Sequence, residues 1–119
     1  MAGAVLVVDD DAAFRGLARR MLTAAGLSVA GEADTVAAAR DAAAALRPDG
    51  ALIDIGLPDG SGASLGAELQ AMPWHPRILL TSIDPDAVSL IGEGTMSASA
   101  FVPKNELPNS PLRELLAGE

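Results

Sequence analysis

The chain has 119 residues, half of them apolar, which is enough for one domain with a buried core, and we expect that domain over residues 1–119. Without cysteine it forms neither a disulfide nor a thiolate metal site, so an intracellular, cytoplasmic location is expected. The net charge of −8 argues against direct binding of this chain to a nucleic-acid backbone, which requires clustered Lys and Arg. No apolar run approaches the ~18 residues of a membrane span, and the first residues lack the pattern of a signal peptide.

The first part of the chain alternates short apolar runs with helical patterns. Residues 5–8 predict a strand buried on both faces, as parallel strands are, and residues 27–32 predict a weaker strand near a sheet edge. The helix between them is expected to begin at a cap, Asp11, and to end at Gly26. Its apolar face repeats at intervals of three and four residues, through Phe14, Leu17, Ala18, Met21 and Leu22.

The alternation continues along the rest of the chain. A second helix is predicted from a cap at Asp34 to about Leu46, and three further strands are predicted at residues 51–53, 78–80 and 100–102. The remaining helices are marked by Leu65, Leu69 and Met72 before Pro73, by Val88 and Ile91 after the capping pair Asp84-Pro85, and by Leu112, Leu115 and Leu116 after Ser110-Pro111. Five strands alternating with five helices predict a parallel α/β sheet with helices on both faces.

Polar side chains follow four of the predicted strands, and these are Asp9, Asp10, Asp11, Asp54, Thr81 and Lys104. The carboxyl ends of parallel strands meet at one edge of the sheet, where open α/β sheets bind their ligands. Burying an unpaired carboxylate costs several kcal/mol, roughly, so the acidic cluster predicts a site for a hard divalent cation such as Mg²⁺. Considered one at a time, each residue has an ordinary structural explanation: Asp54 as a turn residue, Thr81 as a hydroxyl at a strand end and Lys104 as an exposed surface charge. Their position at the ends of three different strands favours one shared site.

Four short motifs in this order resemble the receiver domain of bacterial two-component response regulators, over essentially the whole chain. They are VVDD at residues 7–10, LIDIGLPDGSG at 52–62, LLTS at 79–82 and AFVPK at 100–104. The resemblance implies a doubly wound, flavodoxin-like (βα)5 fold with a five-stranded parallel sheet in the order 2-1-3-4-5. It also implies that Asp54 accepts phosphate from a histidine kinase.

The same resemblance implies roles for the metal-binding residues. Asp10 is expected to be a direct Mg²⁺ ligand and Asp9 an acidic partner that acts partly through water. Asp54 is expected to be both ligand and phosphoacceptor, and the Gly56 carbonyl a third protein ligand.

Three further residues are implied to respond to the phosphoryl group. Thr81 is expected to donate a hydrogen bond to it and Lys104 to pair with it. Phe101 occupies the place of the aromatic switch residue.

The resulting hypothesis is a phosphoacceptor switch that is not itself an enzyme. Its implied partner is a sensor histidine kinase or a phosphotransfer protein; a homodimer is left open, no membrane is involved, and DNA is contacted only through an output domain absent from this chain. One alternative is a degenerate receiver that acts as an interaction module without phosphate. A Mg²⁺-dependent phosphatase would need a second acid at Gly56, and a nucleotide-binding protein would need a glycine-rich loop where the chain reads DDDAAF.

Overall fold

The computed structural model describes residues 3–84 and 100–118, and its centre is a five-stranded parallel sheet. The strands are β1 (Ala4–Val8), β2 (Ser28–Ala33), β3 (Gly50–Asp54), β6 (Arg77–Thr81) and β7 (Ala100–Phe101). They lie in the order β2-β1-β3-β6-β7, so the prediction of a parallel sheet in the order 2-1-3-4-5 is confirmed. The chain also contains an antiparallel hairpin, β4 (Gly56–Leu57) with β5 (Gly60–Ser61), that was not predicted.

The described helices follow the predicted alternation. They are α1 (Ala12–Ala24), α2 (Val36–Leu46), α3 (Gly62–Gln70) and α4 (Leu112–Ala117). A 3₁₀ helix over Lys104–Asn109, which the sequence pattern did not predict, connects β7 to α4. The helix predicted around Val88 and Ile91 lies outside the described residues. No helix within residues 3–84 and 100–118 is both long and apolar enough to cross a membrane.

The sheet separates two apolar clusters because successive side chains of a strand point to opposite faces. On one face, Leu6 and Val8 of β1 pack with residues of α2 and α3. On the other face, Val5 and Val7 pack with residues of α1 and α4. Each fully buried leucine or valine stabilises the fold by roughly 1.5–3 kcal/mol, so the two clusters fix the positions of the four described α-helices against the sheet.

Two helix caps differ from the predictions. The N-cap of α2 is Thr35 rather than Asp34, and its Oγ1 accepts the Ala38 N–H at 3.0 Å. The Ser110 hydroxyl donates to the Leu107 carbonyl at 2.7 Å, so it closes the 3₁₀ helix and does not cap α4. The predictions were wrong because several neighbouring residues in each turn are able to cap a helix. The residue at which the helix begins depends on tertiary contacts, which the sequence pattern does not show.

The apolar faces of two helices also deviate from the pattern. Phe14, Ala18 and Leu22 are buried as predicted, but Leu17 is 44% exposed. Met72 lies beyond the end of α3, which finishes at Gln70. Because α1 covers a sheet near its edge, only a narrow stripe of its surface reaches the core.

Trp74, the only tryptophan, lies in the loop between α3 and β6. Its indole N–H donates to the Pro48 carbonyl at 2.8 Å, and the Arg47 guanidinium lies 4.7 Å from the ring centroid. Pro48 precedes β3, so this contact ties together two loops at the amino edge of the sheet.

Candidate functional site

Three consecutive aspartates follow β1, and each has a different environment. Asp9 is fully buried; its N–H donates to the Ala33 carbonyl at 3.0 Å and its Oδ1 accepts the Asp11 N–H at 2.8 Å. Asp10 is exposed. Asp11 caps α1, as predicted, and accepts the Ala13 N–H at 3.0 Å. One carboxylate is therefore directed inward, one is open to solvent and one is used by the helix.

Asp54 ends β3 beside the end of β6. It lies opposite Thr81 in the register of the two parallel strands, and the Ile55 N–H donates to the Thr81 carbonyl at 3.0 Å. The Gly56 N–H lies 3.3 Å from Asp54 Oδ1. Burial and then the negative charge of Asp9 raise the pKa of Asp54, although Lys104 and the Gly56 N–H act in the opposite direction. The fold therefore brings two carboxylates together at an electrostatic cost.

Lys104 offsets part of this repulsion. Its Nζ lies 2.7 Å from Asp9 Oδ2 and 3.5 Å from Asp54 Oδ2, and its N–H donates to the Ser82 carbonyl at 2.9 Å. Burial alone acts to lower the pKa of Lys104, but the contacts with Asp9 and Asp54 outweigh it, and the pKa is raised. The ammonium is thus a fixed positive charge between the two carboxylates at neutral pH.

The acidic residues also fit a divalent cation. One carboxylate oxygen from each of Asp9, Asp10 and Asp54 can be chosen so that all three lie within 4.8 Å of one another. Carboxylate oxygens are the ligands that Mg²⁺ prefers. Because Asp10 is exposed, there is room at the site for the water molecules that Mg²⁺ retains as further ligands. Gly56 is exposed at the start of β4, and the role of its carbonyl as a ligand stays a prediction.

Thr81 and Phe101 lie on the adjacent strands β6 and β7. Thr81 is fully buried, and its hydroxyl donates to the Val102 carbonyl at 2.7 Å. Phe101 pairs with Leu80 across the strands and is partly buried against the apolar cluster that contains Leu6 and Val8. The structure therefore places Thr81 next to Asp54 and Phe101 on the adjoining strand, and the switch roles of both stay predictions.

The sequence interpretation missed a second set of residues that position the site. Arg15 donates to the Asp9 carbonyl at 2.7 Å and pairs with Glu32 at 3.0 Å. Asp59, at the tip of the β4–β5 hairpin, accepts the Val36 N–H at 2.7 Å and the Ala37 N–H at 3.2 Å. The position of Arg15 one turn after Asp11 was a usable signal. The contact of Asp59 with α2 joins residues more than twenty positions apart, and no local pattern predicts it.

Fold and site together define a class of protein: a doubly wound parallel α/β protein with carboxylates, a threonine and a lysine gathered at the carboxyl edge of its sheet. The family can be stated more narrowly. The family model of the response regulator receiver domain matches residues 5–115, and the chain belongs to that family.

Comparison with individual proteins gives the same result. The chain is 37% identical over 101 residues to the DNA-binding transcriptional activator DevR/DosR of Mycobacterium tuberculosis, a match that covers 84% of this chain and 46% of that protein. It is 29% identical to the chemotaxis protein CheY of Thermotoga maritima, covering 93% of this chain and 92% of that protein. The solved signal receiver domain of the NarL response regulator of Mycobacterium tuberculosis is 31% identical, with a TM-score of 0.77 over 94% of this chain and 91% of that structure.

These matches determine how much can be said about the function of this chain. The chain spans about half the length, or less, of the first curated relatives it matches, 46%, 37% and 52%. Membership supports a phosphoacceptor signalling role, since receiver domains are generally signalling modules that bind Mg²⁺ in an acidic pocket. Two of these relatives are named as a DNA-binding transcriptional activator and a transcriptional regulatory protein.

Proposed function

We propose that this chain is a switch in which Asp54 accepts a phosphoryl group from a sensor histidine kinase or a phosphotransfer protein in a Mg²⁺-dependent step. The observation that carries the proposal is the meeting of Asp54 with Lys104 and with Asp9 and Asp10 at the carboxyl edge of the sheet. Phosphoryl transfer depends mainly on positioning and on neutralising charge, and this arrangement offers both. In the proposed step the bond from phosphorus to the donor histidine breaks as a bond to an Asp54 carboxylate oxygen forms.

Each residue of the site has a distinct part in this step. Asp54 is held next to Lys104, whose raised pKa keeps it protonated, so its charge is available to the phosphoryl oxygens. Asp9, Asp10, Asp54 and the Gly56 carbonyl are proposed to hold Mg²⁺. When bound, the ion supplies positive charge against the phosphoryl oxygens. The buried Asp9 is itself held by the Asp11 N–H, which fixes the direction of its carboxylate.

The change of signalling surface is proposed to begin at Thr81. Its hydroxyl donates to the Val102 carbonyl, so a hydrogen bond to the phosphoryl group requires that contact to break. A net hydrogen bond contributes about 1 kcal/mol, which is within the roughly 1–3 kcal/mol typical of coupling between sites. Phe101 would then move toward the space next to Thr81, changing the surface formed by β7, α4 and the helix predicted around Val88. That helix lies outside the described residues.

The partners of this surface follow from the same proposal. We propose that the chain contacts DNA only through an output domain outside it, that a homodimer is compatible with the signalling role, and that the location is cytoplasmic. The names of relatives support this in part, since they include transcriptional activators and regulators. A degenerate receiver that signals without phosphate is the alternative, and the presence of Asp10, Asp54, Thr81 and Lys104 in one site argues against it.

Phosphorylation with a small phosphodonor tests the proposal directly. Incubation with acetyl phosphate and Mg²⁺ should add one acid-stable, base-labile phosphate at Asp54, detected by mass spectrometry. The Asp54→Asn variant should take none, whereas Asp41→Asn, which alters an exposed aspartate on α2, should be labelled like the wild type. Labelling of Asp54→Asn would assign the phosphate to another residue, and an unlabelled wild type would favour the degenerate receiver.

A further inference from the structure

The ammonium of Lys104 has a third neighbour besides the two carboxylates. Its Nζ lies over the ring of Phe14, 4.1 Å from the centroid. Phe14 lies in the first turn of α1 and is only 8% exposed, and the Lys104 side chain is 14% exposed. The ammonium is therefore bounded by Asp9, Asp54 and an aromatic face.

The two kinds of neighbour act differently on the lysine. The face of an aromatic ring attracts a cation through its quadrupole, but it carries no net charge and accepts no strongly directional hydrogen bond. Asp9, at 2.7 Å, competes with Asp54, at 3.5 Å, for the same ammonium. A ring that holds the ammonium without fixing its direction lets it turn from Asp9 toward a phosphoryl group on Asp54.

The main chain does not fix the position of the Lys104 ammonium, so its side-chain contacts have to do so. The Lys104 N–H is fixed by the Ser82 carbonyl, but the four-carbon stem beyond it has many rotamers. Fixing such a stem costs on the order of 1.5–2 kcal/mol of conformational entropy. The Phe14 ring lies against the end of this stem, 4.1 Å from Nζ, and Phe14 is itself packed in the apolar cluster between the sheet, α1 and α4.

We propose that Phe14 is a positioning residue for phosphoryl transfer that acts through Lys104. Its ring keeps the ammonium within reach of Asp54 and shields it from solvent on the side of α1. This inference rests on the function proposed above. The competing explanation is that Phe14 only fills the core, in which case its replacement lowers stability without any specific relation to Lys104.

A double-mutant cycle separates the two explanations. The rate of phosphorylation by acetyl phosphate at saturating Mg²⁺ is measured for the wild type, Phe14→Leu, Lys104→Met and the double variant. Phe14→Leu keeps an apolar side chain without the ring, and should slow labelling about threefold to tenfold, the range that a partly buried cation–π contact corresponds to. In the Lys104→Met background the same substitution should change the rate less than about twofold. Phe14→Tyr keeps the aromatic face and should label at nearly the wild-type rate.

A second measurement and a control make the outcome decisive. The same cycle is measured on the free energy of unfolding in urea, where coupling between Phe14 and Lys104 is expected without any phosphate. Leu22→Val, on the same buried face of α1, controls for a loosened core and should leave the labelling rate unchanged. Labelling that slows equally with and without Lys104, or that Phe14→Tyr slows as strongly as Phe14→Leu, overturns the inference alone. A wild type that takes no phosphate overturns it together with the proposed function.

Discussion

Replacing Gly62 by alanine tests how closely α3 is packed against the strand that carries Asp54. Gly62 is the first residue of α3, and its N–H donates to the Ile55 carbonyl at 2.8 Å. A Cβ added at Gly62 would contact the Asp54 carbonyl oxygen, and would lie 2.7 Å from the Asp54 carbonyl carbon and 2.9 Å from the Ile55 Cα. All three atoms belong to the main chain, so a change of rotamer cannot relieve the contact.

The size of the effect follows from these distances. Ordinary van der Waals contacts of a Cβ begin at 3.4 Å, so the two carbon atoms have to move away by 0.5 to 0.7 Å, and the Asp54 carbonyl oxygen, which lies nearest, by more than that. β3 is paired on both sides, with β1 and β6, and resists that movement. Overpacking of this kind costs about 1–3 kcal/mol, and we expect about 2 kcal/mol here, which lowers the melting temperature by about 8 °C.

Gly16→Ala is the matched control, because a Cβ at Gly16 in α1 has no atom within 4 Å. It should stabilise the chain by about 0.5–1 kcal/mol, since alanine favours the helix. Both variants are compared with the wild type by urea unfolding, followed by far-UV circular dichroism, with equal m-values expected. If Gly62→Ala were as stable as the wild type, or gained stability as Gly16→Ala does, the close approach of α3 to Asp54 would not require glycine at position 62.

Millimolar Mg²⁺ should raise the melting temperature of the wild type because the ion binds only the folded acidic cluster; an equal rise in Asp10→Ala would contradict this. Arg19 lowers the pKa of Glu32, so Glu32 contributes stability above its unfolded pKa of about 4.3, and this contribution is lost as the pH falls through the lower folded value. The free energy of unfolding in urea is measured for the wild type and for Glu32→Gln. The difference between the two should narrow from about pH 5 to pH 3, and a difference that stays constant would show that the charge of Glu32 does not contribute to stability. Beryllofluoride, a phosphoryl mimic, should shift the backbone NMR signals of Thr81 and Phe101; shifts confined to the loops of the site, with Phe101 unchanged, would refute the switch.

The sheet was predictable because its signals are short and local. Apolar runs bounded by polar residues mark buried parallel strands, and their carboxyl ends share one edge. The sequence therefore placed Asp9, Asp54, Thr81 and Lys104 at the same edge, and the structure brings them together there. Helix ends were less predictable, since Asp34 and Thr35 are both good caps and differ by a single residue.

Two contacts around the site could not be predicted from the sequence. The Asp59 carboxylate binds the first N–H groups of α2, and the Phe14 ring lies against the Lys104 ammonium. Both contacts join elements far apart in the chain and depend on how the helices pack on the sheet. The sequence pattern predicted Phe14 only as part of the apolar face of α1, and that prediction is the same whether or not a lysine lies beside the ring.

The contact between Trp74 and Pro48 gives the molecule a built-in optical reference. Trp74 is the only tryptophan, so all indole fluorescence arises at the amino edge of the sheet. β3 places Asp54 at the opposite edge, about 13 Å farther along the strand from Gly50. Unfolding breaks the contacts of the half-buried indole and changes its emission, whereas we expect phosphorylation at the far edge of the sheet to leave that emission nearly unchanged. The intrinsic fluorescence therefore reports whether a site variant is folded, independently of whether it can be phosphorylated.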